Sequence, residues 1–309
     1  MAVNDMSAEL TLGPNLFHWP TEMKLDFYNR IADESPVGTV YLGEVICSKR
    51  TPFFEKHLDA VADRLERAGK NVVFCSLSEV VIKRERNLLR EWAEQEGRDL
   101  EVNNTAALLY LKNKPHRIGG LLNVYNEETM AYLAGQGATH FSLLPELPRA
   151  AIVNLGSRAK TLGVGLEVQV FGRASLALSA RCYHARAHER TKDNCQFVCE
   201  EDLDGMTLST MDDEPFLAIN GIQTLSYRYL DLMADMEDMK SIGVTHFRVT
   251  PHTCDMVAVT KMFDDVLHGR VTVEEGEARL RELGIDAPFA NGFYRGQAGD
   301  AWVNEPISA

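Results

Sequence analysis

Eight short runs of apolar, β-prone residues recur along the chain, with amphipathic helical stretches between them. Parallel strands need long crossover connections, which are usually helices, so this alternation predicts a series of βα units. Eight units favour an α/β fold of the TIM-like (β/α) barrel type, with a doubly wound open sheet as the alternative. The predicted strands are residues 9–12, 39–43, 71–75, 99–103, 118–123, 140–143, 165–170 and 245–249.

One connection is too long for a simple crossover. Residues 171–225 follow the seventh predicted strand and far exceed the usual length of a loop. They contain three of the six cysteines, so we do not expect a disordered linker there. We predict a single barrel domain over residues 1–309, with 171–225 as a cysteine-bearing insertion. The predicted helices are residues 52–68, 77–96, 127–136, 147–162, 226–242 and 273–283.

The charge balance restricts the partners of the chain. With 32 Lys and Arg against 45 Asp and Glu, the formal net charge is −13, which disfavours nucleic acid and anionic membrane surfaces. The first residues lack the basic start and apolar run of a signal peptide, and no later run has the roughly 18 apolar residues of a membrane span. We therefore expect a cytoplasmic protein whose thiols are reduced.

Three cysteines lie close together in the long connection. Cys182, Cys195 and Cys199 have C-x12-C-x3-C spacing, and Cys47 follows the second predicted strand, at the end where barrel enzymes place their chemistry. Zinc sites usually bring close C-x2-4-C pairs, whereas iron-sulfur clusters accept more dispersed cysteines. The spacing favours a cluster, while structural zinc and a redox-active thiol set remain alternatives.

The remaining cysteines and several polar residues have plainer interpretations. Cys75 ends an apolar strand and is expected to be a small buried hydrophobe, while Cys254 has no second thiol near it in sequence. No motif for hydrolytic or nucleotide-driven chemistry occurs. Four polar residues near the ends of predicted strands, where barrel active sites are built, are candidates for substrate binding or for simple strand-end caps: Glu44, Asn103, Asn123 and Glu167.

The segments LGEVICSKR, SARCYHAR, KDNCQFVC and NGIQT resemble the prokaryotic collagenase-like peptidase family, and the similarity covers nearly the whole chain. That family typically has a histidine where Phe171 stands, and a further cysteine that is missing between Cys75 and Cys182. These differences argue against peptidase activity. The resemblance instead points to a branch of the family in which a 4Fe-4S cluster would be held, here by Cys47, Cys182, Cys195 and Cys199.

That branch implies a function and partners. It is associated with oxygen-independent hydroxylation of aromatic-ring precursors of ubiquinone, as a heterodimer with a paralogue, UbiU, helped by a lipid-carrier-like protein, UbiT, and with prephenate as the hydroxyl donor. Arg50, Arg173 and Arg181 are candidates for bidentate contacts with such a dicarboxylate. The alternatives are hydroxylation of transfer RNA uridine, and a non-catalytic scaffold or electron-transfer subunit that carries the cluster.

Overall fold

The structure is a computed structural model that describes residues 8–304. The segment on which the expectation about a signal peptide rests falls mostly outside this range, as do the last five residues. Seven strands in the first part of the chain are parallel neighbours in the order of the sequence. They are β1 (Glu9–Leu12), β2 (Thr39–Leu42), β3 (Asn71–Cys75), β4 (Asp99–Val102), β5 (His116–Ile118), β6 (Ala138–Ser142) and β7 (Gly165–Leu178).

A later strand, β11 (His246–Val249), closes this sheet into a barrel. Its His246 pairs in parallel with Glu9 of β1 on one side and with Glu167 of β7 on the other. The eight parallel strands found among residues 8–304 therefore form a TIM-like barrel, as predicted. The alternative of a doubly wound open sheet is wrong.

Helices cover the outside of the barrel because their apolar faces pack on the strands. In α3, for example, Leu58, Val61, Ala62 and Leu65 are buried at helical spacing. After β4 the structure has only a short 3-10 helix, Thr105–Leu109, before β5. The α-helices are α1 (Thr21–Glu34), α2 (Thr51–Phe54), α3 (Leu58–Arg67), α4 (Lys83–Glu94), α5 (Glu127–Gly135), α6 (Arg149–Leu162), α7 (Tyr183–Ala187), α8 (Met236–Ser241), α9 (Met256–Leu267) and α10 (Val273–Glu282).

The long connection leaves the barrel through β7, which extends well past the predicted end at residue 170. The second half of β7 pairs antiparallel with β10 (Gln223–Asp231), so that Leu178 lies opposite Gln223. Two further antiparallel strands, β9 (Pro215–Asn220) and β8 (Met206–Ser209), continue this layer. The segment from the extension of β7 to the start of β10 carries three cysteines, and we call it the cysteine excursion.

Several predicted boundaries are wrong for a common reason. The helix predicted for 226–242 is strand β10 up to Asp231, then a 3-10 turn and the short α8. The run at 118–123 ends its strand at Ile118, and the helix predicted from residue 77 begins at Lys83. The C-terminal chain adds β12 (Phe289–Ala290), which pairs with β10. Residues 226–231 form a strand because they pair with β7, which is distant in sequence. A short sequence window around these residues does not contain that information.

No helix among residues 8–304 combines the length and the apolar character that crossing a bilayer requires.

The barrel interior is unusually polar for a packed core. Tyr41, Glu101 and Glu167 lie on three different barrel strands, and each side chain is at most 1% exposed. These side chains form the floor of one of the cavities described below.

Candidate metal centre at the barrel mouth

One cavity beside the carboxyl ends of the barrel strands is lined by Cys47, Cys182, Cys195 and Cys199. Cys47 lies in the loop after β2, while the other three belong to the cysteine excursion. Cys182 and Cys199 are buried, Cys47 and Cys195 are half-buried, and all four thiols are free. The structure therefore brings together the four residues predicted to ligate a metal group.

The loop that carries Cys47 is shaped by Glu44. The Glu44 Oε1 atom accepts hydrogen bonds from the backbone N–H groups of Ile46 and Cys47, at 3.0 Å each. The backbone N–H of Arg50 then donates to the Cys47 carbonyl at 2.9 Å, which closes a tight turn. Glu44 thus fixes the position of a thiol, a role that differs from the substrate contact predicted for it.

Local geometry directs the other three cysteines toward the same point. Cys182 begins α7, and its Sγ accepts a hydrogen bond from the Ala185 N–H at 3.4 Å. Between Cys195 and Cys199, Gln196 and Phe197 have φ angles of 49° and 54°, in the left-handed region. Such angles are uncommon outside glycine and cost of order 1 kcal/mol or more each. Here they turn the chain between the two thiols.

Arg50 connects the cavity to the turn between β9 and β10. Its guanidinium is buried, and Nη2 donates to the Asn220 Oδ1 at 2.6 Å while Nη1 donates to the Leu16 carbonyl at 3.2 Å. Asn220 in turn donates through Nδ2 to the Cys199 carbonyl at 3.1 Å. The predicted dicarboxylate contact of Arg50 is therefore partly replaced by contacts within the chain.

The charge of Arg50 acts on the thiols. Burial raises the pKa of both the Cys47 and the Cys199 thiol, and Arg50 opposes that rise in each case. Burial also disfavours the guanidinium cation, yet Glu44, Cys199 and Cys47 raise the pKa of Arg50. Burial thus disfavours the thiolate form of Cys47 and Cys199, and Arg50 provides the positive charge that thiolates would need once ligated.

These features fit a group that takes four thiolates and carries a net negative charge. Four cysteines around one cavity are the donor set of a 4Fe-4S cluster and also of a tetrathiolate zinc ion. Cys47, Cys182, Cys195 and Cys199 would hold either group, with Arg50 beside them.

A second cavity lies over the interior of the barrel. Arg248 on β11 crosses its floor, where Nη2 is 2.5 Å from an oxygen of Glu101 and 2.5 Å from an oxygen of Glu167. Ser142 donates to both carboxylates, and Tyr41 donates to Glu167 at 3.1 Å. Above this floor the cavity is lined by Asn103, Gly120, Leu121, Leu143, Gln169 and Thr250, from strand ends and the loops after them.

The floor is a buried ionic network. Burial alone would raise the pKa of Glu167, but Arg248 and then His140 hold it well below its usual range. Glu101 and Glu167 in turn hold the pKa of Arg248 well above its ordinary value, against the effect of burial. Two carboxylates thus share one guanidinium at the floor of the cavity.

A comparison with a model of a protein family decides which family the chain belongs to. The model for peptidase family U32 matches residues 21–304. This chain belongs to peptidase family U32. The match covers all the described barrel strands except β1, together with the whole cysteine excursion. The resemblance drawn from the four sequence segments is thereby confirmed at the level of the family.

Two enzymes of solved structure align with most of this U32 chain. The fructose-bisphosphate aldolase from Slackia heliotrinireducens is 10% identical with a TM-score of 0.39, over 94% of this chain and 90% of the aldolase. The dihydrodipicolinate synthase from Agrobacterium tumefaciens is 8% identical with a TM-score of 0.35, over 90% and 81% of the two chains. At this level of similarity the two enzymes say nothing about the chemistry of this U32 chain.

A third cavity in the U32 chain is mainly apolar. Tyr28, Phe54, Leu58, Leu89 and Trp92 line it between the outer side of the barrel and the helices α1, α2, α3 and α4. Charged side chains also border it, namely Lys24, Glu44, Arg50, Glu55 and Glu85. Arg50 therefore borders both this apolar cavity and the cavity with the four cysteines.

The other residues predicted to bind substrate are dispersed. Asn103 and Glu167 line the cavity over the barrel interior. Arg173 is buried away from the three cavities, where its guanidinium donates to the carbonyls of Ser226 and Tyr227. Arg181 and Asn123 are exposed and line none of the three, and Asn123 ends a 3-10 helix with a φ of 57°.

Sequence reasoning missed three members of the barrel floor: Glu101, Ser142 and Arg248. The sequence did contain a signal for Glu101 and Arg248. The segments DLEV and HFRV have charged residues within short strands, and the fold buries both faces of such strands. A buried charge is costly unless it is paired, so two such strands of opposite charge predict an ion pair. Ser142 lacks any comparable signal.

Gly221 in the β9–β10 turn offers a test of how Arg50 is held. Its φ is +67°, and an added Cβ would lie 2.4 Å from the Arg50 Nη2. We expect Gly221→Ala to reduce the free energy of unfolding by more than about 1 kcal/mol, since the left-handed backbone alone costs roughly that amount. Urea denaturation followed by circular dichroism measures the loss.

Gly163 is a matched control for this substitution. Its φ is +69°, nearly the same, but nothing lies within 4 Å of an added Cβ. Gly163→Ala therefore reports the backbone cost alone, and the excess loss in Gly221→Ala reports the displacement of Arg50. Equal losses in the two variants would show that Arg50 moves aside freely.

Proposed function

We propose that this U32 family member is the UbiV-like, iron-sulfur subunit of a cytoplasmic, oxygen-independent hydroxylase that acts on aromatic-ring precursors of ubiquinone. The observation that carries the proposal is the convergence of Cys47, Cys182, Cys195 and Cys199 on one cavity. A bound 4Fe-4S cluster would supply one-electron chemistry at that cavity. The chain's own residues would position the thiolates, balance their charge and exclude water.

The surroundings of Phe171 support this branch of the family over a peptidase. Phe171 replaces the histidine of the family's peptidase pattern, and it is fully buried. Its ring packs against Phe263 and Tyr229, with centroid distances of 5.6 and 5.9 Å. A side chain in that position is part of the core, so it supplies neither a base nor a nucleophile.

The apolar cavity supports an aromatic substrate. Tyr28, Phe54 and Trp92 supply rings that suit contact with another aromatic ring. Arg50 lies on the border between that cavity and the thiols, so a ring held there would lie next to the metal group. Under this proposal Arg50 both orients the substrate ring and stabilises the thiolates.

The barrel floor supports a requirement for a second subunit. Prephenate, as the hydroxyl donor, brings two carboxylates, and Glu101 and Glu167 already outnumber the single cation Arg248 there. Like charges repel strongly at such short range, so a dianion is disfavoured in this cavity. We therefore propose that a UbiU-like paralogue contributes the donor site in a heterodimer, with a UbiT-like lipid carrier delivering the precursor.

Anaerobic purification tests the proposal. We expect about four iron and four sulfide ions per chain with the visible absorption of a 4Fe-4S cluster, and ring hydroxylation only when the paralogue is added. Zinc bound through sulfur in place of iron would overturn the cluster assignment. A full cluster without hydroxylation in the reconstituted pair would contradict the activity, and altered transfer RNA nucleosides in cells lacking the protein would favour uridine as the substrate.

A further inference from the structure

A second group of metal-binding side chains lies beside the cysteine cavity. His184 lies on α7 and His188 is the residue that caps its C-terminal end, one turn later; their rings have centroids 5.3 Å apart and planes only 6° apart. The ligand atoms of both histidines and of Asp202 all lie within 4.8 Å of one another. Only one of the three, His184, is fully buried.

The hydrogen bonds of the two rings fix where their lone pairs point. The Nδ1 atom of His184 is 3.1 Å from the Ile219 carbonyl oxygen, and Nδ1 of His188 is 3.0 Å from the His184 carbonyl oxygen. A carbonyl oxygen only accepts, so each Nδ1 must carry the hydrogen. In a neutral ring the other nitrogen, Nε2, is then an unprotonated acceptor with a free lone pair.

One of these two nitrogens lies close to another acceptor. The Nε2 of His184 is 2.9 Å from the Asp202 Oδ2, and this buried nitrogen makes no hydrogen bond. Nε2 of His188 is 3.9 Å from an oxygen of Glu201. Two lone pairs at hydrogen-bond distance repel unless a positive charge lies between them. A metal ion or an extra proton on His184 would supply that charge.

We propose that a divalent cation, zinc by preference, binds between His184 Nε2, His188 Nε2 and the carboxylate of Asp202. Histidines that ligate a metal almost always donate their other N–H to a carbonyl or carboxylate, which is the pattern of both rings here. Two atoms that are each about 2.0–2.1 Å from one zinc ion lie about 3.3 Å apart in tetrahedral geometry. The observed 2.9 Å between His184 Nε2 and Asp202 Oδ2 is only a few tenths of an ångström shorter. Glu201 or a water molecule completes the coordination.

The site is chemically distinct from the cysteine cavity and acts as a structural clip. Its donors are nitrogen and oxygen, whereas the cavity offers soft thiolates that select iron-sulfur clusters or zinc through sulfur. His184 follows Cys182 by two residues, and Asp202 follows Cys199 by three. A cation bound here joins the two parts of the cysteine excursion that carry those thiols, and so fixes their spacing.

Zinc analysis of the purified full chain tests the proposal. After incubation with zinc sulfate and desalting, we expect a zinc component with nitrogen and oxygen ligands at about 2.0–2.1 Å in X-ray absorption. His188→Gln should lose one equivalent of zinc relative to the wild-type protein and keep its iron and sulfide. Asp202→Asn should lose the same equivalent, which covers the case in which His188→Gln does not fold.

His268→Gln is the matched control. The Nδ1 of His268 also lies near the carbonyl oxygen four residues earlier, at 2.9 Å, and its side chain is half-exposed and far from the cysteines in sequence. It should retain all the zinc. The proposal is overturned if the wild-type protein binds zinc only through sulfur or not at all, or if His188→Gln and Asp202→Asn retain as much zinc as His268→Gln. These outcomes do not depend on ring hydroxylation.

Discussion

Under the proposed function, replacing Cys195 by alanine is expected to remove the 4Fe-4S cluster and, with it, the hydroxylated ubiquinone intermediates of cells grown without oxygen. Three thiolates would leave one iron without a protein ligand, and even loss of an outer-shell partner costs roughly 10–100-fold in metal affinity. We therefore expect iron retention to fall by more than about 100-fold. Cys195 is only half-buried, so alanine leaves no large void and the barrel remains folded.

Cys254→Ala is the control for this substitution. Cys254 is also half-buried, but it lies beyond β11 and outside the cavity with the four thiols, near the sulfur of Met256 at 3.7 Å. Iron and sulfide content, visible absorption and quinone intermediates should all match the wild-type protein. A Cys195→Ala protein that retains its full iron and sulfide would remove Cys195 from the ligand set.

The second large effect is expected at Arg248. Its replacement by methionine leaves Glu101 and Glu167 buried without a cation, and breaking a buried ion pair from one side typically costs about 3–5 kcal/mol. We expect a loss of that size in the free energy of unfolding, measured by urea denaturation at neutral pH. Methionine keeps the approximate length and volume of the side chain, so the loss reports charge and hydrogen bonding.

Two comparisons separate this effect from a general sensitivity to mutation. The Arg270 side chain is half-exposed where it pairs with Asp264 and Asp265, so Arg270→Met should have a much smaller effect because water screens a charge at that position. Adding Glu101→Gln to Arg248→Met should recover part of the lost stability, since one buried charge disappears. If Arg248→Met unfolds no more easily than Arg270→Met, the floor network does not depend on its cation.

Much of the barrel follows from sequence because its strands are short and locally encoded. The predicted runs at 9–12 and 71–75 match β1 and β3, since the apolar residues in each run are bounded by polar residues or glycine. The four cysteines could be grouped because three lie near one another and the fourth follows a barrel strand. The carboxyl ends of parallel barrel strands lie on one face of the barrel, so this grouping could be predicted from the sequence alone.

The failures come from contacts between distant parts of the chain. Leu230, Met233, Met236 and Met239 lie at helical spacing in the helix predicted for 226–242, and all four are buried. Leu230 nevertheless belongs to strand β10, because β10 pairs with the extension of β7. The short α8 contains only the last two of these residues.

The arginines near the thiols show the same limit. Proximity in sequence grouped Arg50, Arg173 and Arg181, but only Arg50 lines the cysteine cavity. Successive residues of a strand alternate between its two faces, so neighbouring positions on β7 do not share an environment. A long side chain near a ligand in sequence is therefore weak evidence for a place in the site.

The origin of the four thiols has a consequence for how the protein matures. Cys47 is synthesised early, yet the strands β3 to β7 must be made before Cys182, Cys195 and Cys199 emerge from the ribosome. Under the proposed function, iron delivery to this site must therefore wait until the chain has been synthesised past Cys199. The metal group would thus bind only to chains in which the cysteine excursion has been made and folded. Chains cut short after β7 would lack it.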